Sequence, residues 1–404
     1  MDSTILADAV ATQDTITQLI SAIRRVGRVV PGGAEAIAAV CTGHDYSRPG
    51  KPVIDWDEPG AKDSLVSALV NDANALLGTL TEETGPQEAE TEEPDEARET
   101  GTAALAMLAL VAGQDVEPAE GSDGAGGRWR IARKVAPDRV ISQVDTEARH
   151  TRKSPGARRD GYRAHVAAGP GTGIITDEAL TKAAGEENSD AAAAERFLAT
   201  DTAATAGGED SDTADTTREW YGDSSYGTGD LRAAITAAGH DALIKPKPLP
   251  AVVEGGFTID DFTVDEQTGA VGCPAGHTRP LSRTRVASFG ALCRGCPLRE
   301  QCTKSKTGRK IVVHERDREL RKARSDWAAD PDLRKKYRKY RPSVERVVSQ
   351  VASRGARRLK LRCRGTTKNH AWLSRRTAGL NLRNLIGRGL TRTAGIWALA
   401  PVTA

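Results

Sequence analysis

Aromatic residues are scarce: six Trp, six Tyr and four Phe make up 4% of 404 residues. No stretch approaches the ~18–20 consecutive apolar residues of a membrane-spanning helix, and the mean hydropathy is −0.46. The opening MDSTILADAV has neither a basic segment nor an apolar one after it, which predicts no secretory signal and a cytoplasmic protein. A Walker-type phosphate loop is missing, since Gly227-Thr228-Gly229 is too short to cradle phosphates. The seven histidines are scattered, with no nucleophile–base pattern among them; His165 reads as structural, and Asn188 and Asp190 as helix N-cap residues. Cysteine is limited to six residues, four of them clustered. Without an export signal, that clustering favours metal ligation over a disulfide framework.

Net charge is nearly absent too, at +2, but the balance hides segregation. Residues 279–392 hold 33 basic and 8 acidic residues, an excess of 25, whereas residues 1–278 hold 24 basic and 47 acidic ones, a deficit of 23. A basic segment of that density is the footprint of a phosphate-backbone binder.

Hydrophobic periodicity predicts helices over 15–30 and 61–80, then an acidic connector (TEETGPQEAETEEPDEARETG) and a short apolar helix over 103–112. The period then shortens. Arg139–Asp145 (RVISQVD) reads as a strand, and residues 162–168 and 173–176 read as a hairpin around Gly169-Pro170-Gly171. A helix over 191–198, a loop over 200–217, a strand over 219–223, a helix over 231–238 and a strand over 242–245 complete an α/β layer. Basic helices follow at about 331–355 and 371–388, the last packed through Trp372, Leu380, Leu382 and Leu385.

Three carboxylates look out of place. Asp2 opens the chain, Asp223 follows the strand EWYG directly, and Glu345 is the only acidic residue after Asp332. Any one of them reads most simply as a solvated side chain. Together, on separate elements, they can converge on two Mg²⁺ ions, which need hard oxygen ligands and clamp the entering and leaving oxygens of a phosphoryl displacement.

The cysteine cluster runs Cys273-x19-Cys293-x2-Cys296-x5-Cys302, with His277 nearby. A Cys-x2-Cys pair supplies two ligands of a tetrahedral zinc site from one turn; a metal-free reduced cluster and a redox-active one are the alternatives. Arg341, four residues before Glu345, reads either as an i,i+4 ion pair or as a bidentate phosphate ligand. Lys335, Lys336, Arg338 and Lys339 read as a solvated face or a track for a phosphate backbone. Arg357, Arg358 and Lys360, in RGARRLKLRCR, suit an extended segment along phosphates, where contacts are salt-dependent and blind to sequence.

GDSSYGTGDLRAAITAAGHDALIKPKPL, CPAGH…FGALCRGCPLREQCT and RPSVERVV…RRLKLRCRGTTKNHAWLSRRTAGLNLRNLI together resemble a bacterial insertion-sequence transposase of the DDE type. DSTILADAVATQDT, WRIARKVAPDRVISQVD and RRDGYRAHVAAGPGTGIIT extend the resemblance upstream. It implies an α/β, RNase H-like mixed sheet flanked by helices, with a helical insertion and a small zinc-ribbon-like insertion. The implied division is a remnant of the first catalytic strand (1–9), the helical insertion (10–135, acidic linker 81–100), the catalytic core (136–249), the cysteine-rich insertion (250–315) and a basic helical part (316–404). Asp2, Asp223 and Glu345 would be the catalytic, metal-binding carboxylates. Since only Met1 precedes Asp2, the resemblance also implies a chain truncated at its N-terminus. The implied activity is Mg²⁺- or Mn²⁺-dependent cleavage at transposon ends, followed by strand transfer, by an oligomer on double-stranded DNA near the nucleoid. The alternative is an inactive remnant that only binds DNA. A regulator without this ancestry is a third reading, and it would leave Asp223 and Glu345 more than about 10 Å apart, too far for a shared metal pair.

Overall fold

The chain begins in one sheet, leaves it for a helical excursion and comes back. The computed structural model describes residues 1–48, 50, 52–83, 96–122, 127–134, 136, 138–154, 157–206 and 217–399. Strand β1 (Asp2–Ala7) is followed by α1 (Thr15–Val29), α2 (Gly33–Val40), α3 (Ala61–Glu83) and α4 (Glu96–Gln114), then by the short pair β2 (Val116–Pro118) and β3 (Trp129–Ile131). Asp14 caps α1 by accepting from the Thr17 N–H. The i, i+3, i+4 spacing of Ile16, Leu19, Ile20 and Ile23 turns one face of α1 into a core shared with Leu69, Leu76 and Leu108 of α3 and α4.

Strands β4 (Arg149–Ser154), β5 (Ala157–Ala168) and β6 (Ile175–Lys182) rejoin β1. β5 pairs antiparallel with all three, Asp2 facing Val166 at one end and Ala7 facing Gly161 at the other, so every residue of β1 is paired. The tip 169–174 closes the β5–β6 hairpin, as its glycines and proline predict. Helix α5 (Asp190–Ala206) follows, then β7 (Glu219–Gly222), α6 (Gly229–Ala237) and β8 (Asp241–Ile244), with β7 and β8 parallel. The Met1 amine donates to the Tyr221 carbonyl at 2.6 Å, which brings the start of β1 beside β7.

Next come five three-residue strands, β9 (Thr263–Asp265), β10 (Ala270–Gly272), β11 (Thr278–Pro280), β12 (Val286–Ser288) and β13 (Lys310–Val312), with the single turn α7 (Arg299–Cys302) between the last two. Helices α8 (Asp317–Ala329) and α9 (Pro331–Ala352), the two-residue strands β14 (Ser353–Arg354) and β15 (Arg357–Arg358), helix α10 (Thr366–Gly387) and the hairpin β16 (Leu390–Thr393) and β17 (Ile396–Leu399) end the described chain. Because side chains alternate along a strand, β5 serves two cores. Tyr162, Ala164 and Val166 face Val347, Val348 and Val351 of α9 and Leu373 of α10, while Ala167 faces Ala194 and Phe197 of α5 and Leu231 and Ile235 of α6. The result is a mixed α/β protein with helices on both faces of its main sheet.

Several segments differ from the sequence reading. Arg139–Asp145 is not a strand; only Val140 forms an isolated bridge, to Arg149. Side chains take its polar groups instead: Gln114 accepts from the Val140 N–H, Gln13 from the Gln143 N–H, and the Asp145 carboxylate from the Tyr162 hydroxyl. The 103–112 helix extends back to Glu96, where Glu96 and Glu99 suit the positive end of the helix dipole. Of the acidic connector, 81–83 and 96–101 are helical, while 84–95 lie outside the described residues, as do 207–216 of the loop placed at 200–217. Of the last helix's packing residues, Trp372 and Leu380 reach the sheet core, whereas Leu382 is exposed.

Candidate active site

Three elements deliver one carboxylate each to a common point. Asp2 is the first residue of β1, Asp223 caps the turn after β7, and Glu345 lies midway along α9. Each Asp spends one oxygen on its own backbone: Asp2 Oδ1 accepts from the Ser3 N–H, and Asp223 Oδ1 from the Ser225 N–H, both at 2.8 Å. The other oxygen turns to Arg341, whose Nη2 is 3.1 Å from Asp2 Oδ2 and 3.6 Å from Asp223 Oδ2. Arg341 Nε is 3.8 Å from Glu345 Oε1, one helical turn on. Asp223 and Glu345, which a regulator without catalytic ancestry would leave far apart, meet on a single guanidinium.

Arg341 is held there by the valines of its own helix. Val344, Val347, Val348 and Val351 recur at helical spacing and seat α9 against β1 and β5. The Arg341 side chain is 6% exposed, against 14% for Asp2, 41% for Asp223 and 59% for Glu345. Burial disfavours its charge, but Asp2, Tyr337 and Asp223 outweigh that penalty and raise its pKa further above the ordinary arginine value.

These residues floor an open cleft of about 960 Å³. Its walls add Arg159 and Arg163 of β5, Lys247 after β8, and Arg358 of β15. Arg159 and Arg358 act on each other as like charges, and this together with burial lowers the Arg358 pKa. Arg163 is 3.5 Å from Asp190, which also lines the cleft, so Arg159, Lys247 and Arg358 are the wall cations that suit a polyanion. The predicted DNA-contacting residues therefore separate. Arg341 and Arg358 line the cleft, Lys336 is ion-paired to Glu219, and Lys339 lies 4.9 Å over the Tyr340 ring. Lys335, Arg338, Arg357 and Lys360 are exposed outside the cleft's lining.

A buried pair behind the cleft was not assigned any such place from the sequence. His165 of β5 is fully buried, with Nδ1 3.4 Å from Asp190 Oδ1 and Nε2 3.1 Å from Thr181 Oγ1. Burial lowers the His165 pKa, so the ring is neutral at physiological pH. Burial alone would raise the Asp190 carboxyl, yet the neighbouring His165 ring, Ser3 and the Arg163 charge hold it below the usual range. Ser3 follows Asp2 directly, and Asp2, Ser3 and Asp190 line the same cleft. His165 and Asp190 are 25 positions apart in sequence, and the packing of the start of α5 against β5 brings them together.

The three carboxylates are hard oxygen donors of the kind Mg²⁺ takes. Their spacing does not fit one: among the described residues, no group of three or more His, Cys, Asp or Glu is arranged to hold a metal ion. The Arg341 guanidinium stands where the charges converge. The four clustered cysteines are reduced and line a common pocket with His277, again not at ligand spacing. Burial raises the Cys302 thiol pKa, the Arg309 charge opposes the rise, and Cys293, Cys273 and Cys296 add to it. Among the described residues, no helix is long and apolar enough to cross a membrane.

Among known protein families, residues 272–386 match the one described as a transposase DDE domain. The matched span contains the cysteine cluster, Arg341 and Glu345, but not Asp2 or Asp223. No curated protein and no solved structure matches the chain.

Proposed function

We propose, from the match of residues 272–386 to the transposase DDE domain family, that the chain is a DDE-type transposase that cuts DNA at the ends of a mobile element and joins them to a target, using Asp2, Asp223 and Glu345 as its catalytic carboxylates on an RNase H-like core. The observation that carries this reading is the meeting of all three on Arg341, 3.1–3.8 Å away, in a cleft walled by cations.

In the cutting step, water attacks the scissile phosphorus in line, and the 3′ oxygen leaves as a free hydroxyl. In the joining step, that 3′-OH attacks a target phosphorus, and the target's own 3′ oxygen leaves. Arg159, Lys247 and Arg358 hold the flanking phosphates, a sequence-independent service. Asp2 and Asp223 keep fixed orientations because each is anchored by a backbone N–H. Arg341 neutralises the acids while the site is empty and is within reach of the scissile phosphate once it turns. With Arg341 turned out of the centre, Asp2, Asp223 and Glu345 would be the residues to hold a divalent cation, Mg²⁺ or Mn²⁺, whose chemistry would be Lewis-acid activation of phosphate oxygens. The DNA substrate is consistent with a cytoplasmic location at the nucleoid, and pairing of two ends calls for an oligomer.

A second reading is a remnant that binds DNA without cutting it. In its favour, the centre of the triad is filled by Arg341 and has no metal-ligand spacing. A plasmid bearing the element's ends, incubated with the protein and Mg²⁺ or Mn²⁺, separates the two. Cleavage lost in Asp223→Ala and Glu345→Ala supports the enzyme, while salt-sensitive binding with no cleavage by the wild-type chain supports the remnant.

A further inference from the structure

Positive charge outlasts its counter-charge toward the C-terminus. Beyond Glu345 the sequence holds 13 Lys and Arg and no Asp or Glu. Three of these arginines, Arg346, Arg383 and Arg388, line one groove of about 360 Å³ between α9, the last turns of α10 and the tip of the β5–β6 hairpin. No carboxylate is among the described residues that line it.

Hydrogen bonds fix the groove's shape. Asn381 accepts from the Ile175 N–H and donates to the Ile175 carbonyl, both at 2.8 Å, and Asn384 donates to the Thr172 carbonyl at 2.9 Å. Arg388 donates through Nη2 to the same carbonyl at 2.7 Å and through Nε to the Asn384 side chain at 2.9 Å. These bonds strap the hairpin tip to α10 and orient the Arg388 guanidinium without neutralising it, since each acceptor is an uncharged oxygen. Arg346 and Arg383 are exposed, with neither a hydrogen bond nor an ion pair among the described residues. Arg383 is also felt at Arg376, whose pKa is lowered by burial first and then by the like charges of Arg383 and Arg354. Cations gathered without a counter-charge repel one another, and a polyanion relieves that repulsion. Guanidinium groups present paired donors that match two oxygens of one phosphate, so a phosphodiester backbone is the ligand that fits.

The groove does not continue the catalytic cleft. At roughly 100° per residue, Arg341, Glu345, Ser349 and Ala352 of the cleft leave α9 on one flank of its buried valine stripe, while Ser343, Arg346 and Gln350 of the groove leave it on the other. The body of α9, about 10–12 Å across with its side chains, stands between them. Cutting needs one duplex, in the cleft, and joining needs a second. We infer that the Arg346–Arg383–Arg388 groove holds the backbone of that second duplex, the target, while the cleft holds the element end. The target's role rests on the cut-and-join reaction proposed for the cleft, whereas the groove's charge does not.

The test counts duplexes of arbitrary sequence and about one helical turn (~10 base pairs) bound per full-length chain, by native mass spectrometry at low salt. Two per wild-type chain are expected, and one for the double variant Arg346→Ala/Arg383→Ala. Neither side chain has a native partner to lose, so thermal unfolding of that variant should match the wild type. Lys368→Ala/Arg375→Ala removes the same charge from exposed positions of α10 outside the groove and should still bind two. On element-end DNA with a target plasmid, the groove variant should cut at the wild-type rate, while its joining falls by roughly tenfold or more. One duplex per wild-type chain, or two retained by the groove variant, would overturn the inference. So would an equal loss in the Lys368/Arg375 variant, or cutting that falls as far as joining. A wild-type chain that neither cuts nor joins, yet shows the same change from two duplexes to one, supports the groove as a DNA site and overturns the cut-and-join reading instead.

Discussion

Arg341→Gln is the most revealing single change, because one nearly buried cation balances three acids. Breaking a buried ion pair by removing one partner costs about 3–5 kcal/mol, whereas exposed pairs contribute roughly 0–1 kcal/mol. The Asp2 pair belongs to the first class, with side chains 6% and 14% exposed. The Asp223 and Glu345 pairs, with acids 41% and 59% exposed, belong near the second. The expected loss is therefore about 3–5 kcal/mol, most of it from Asp2. Denaturant unfolding at neutral pH and low salt reads it directly. If the loss comes from unbalanced carboxylates, Asp2→Asn in the same chain should recover much of it, a coupling of about 2–3 kcal/mol within the range of contacting residues. Millimolar Mn²⁺ should stabilise Arg341→Gln more than the wild-type chain, since a cation then fills the vacated centre. A loss below about 0.5 kcal/mol, or the same loss with Asp2→Asn present, would refute the reasoning.

Three further outcomes follow from particular residues. Asp8 is raised to about 6 by burial, with the charges of Asp160 and Asp145 adding to the shift. A raised carboxyl pKa means the folded state prefers the protonated form, so its ionisation destabilises as pH rises from about 4 through 6. Asp8→Asn should raise the melting temperature at pH 8 and leave it unchanged near pH 4. Gly161 has φ +145°, and a Cβ there would overlap the Leu6 carbonyl oxygen in β1. Gly161→Ala should therefore destabilise by roughly 3 kcal/mol or more through backbone strain and lost β1–β5 pairing, seen as faster hydrogen exchange in β1. Arg159→Ala and Arg358→Ala should each weaken DNA binding without changing sequence preference and reduce the slope of log affinity against log salt by about one, whereas Lys336→Ala, already ion-paired to Glu219, should change it less.

What the sequence made legible was mostly local. Apolar periodicity located the ends of α1, α3 and α9 to within a few residues, and the Gly-Pro-Gly turn marked the β5–β6 hairpin. RVISQVD shows where local propensity failed: its β-branched residues suit a strand, but the side chains of Gln13, Gln114 and Tyr162 claim its polar groups. Asp223 and Glu345 stood out because a strand end and a basic helix made their charges anomalous. The ion-pair reading of Arg341 with Glu345 is present at 3.8 Å, yet nothing in an i,i+4 spacing discloses that the same guanidinium also reaches β1 and β7. Arg159, Arg163 and Lys247 were invisible as cleft residues because they lie outside the basic segment. Their charge becomes coherent only when β5 and the end of β8 face α9.

Cleavage kinetics on element-end DNA show whether the three separated carboxylates act as one catalytic unit. Asp2→Asn, Asp223→Asn and Glu345→Gln, singly and in pairs, would be compared at matched DNA binding. Each single change should remove nearly all cleavage and pairs should cost little more, the non-additivity of residues that work together. Independent partial losses that multiply in the pairs, or full cleavage by any of the single variants, would contradict it.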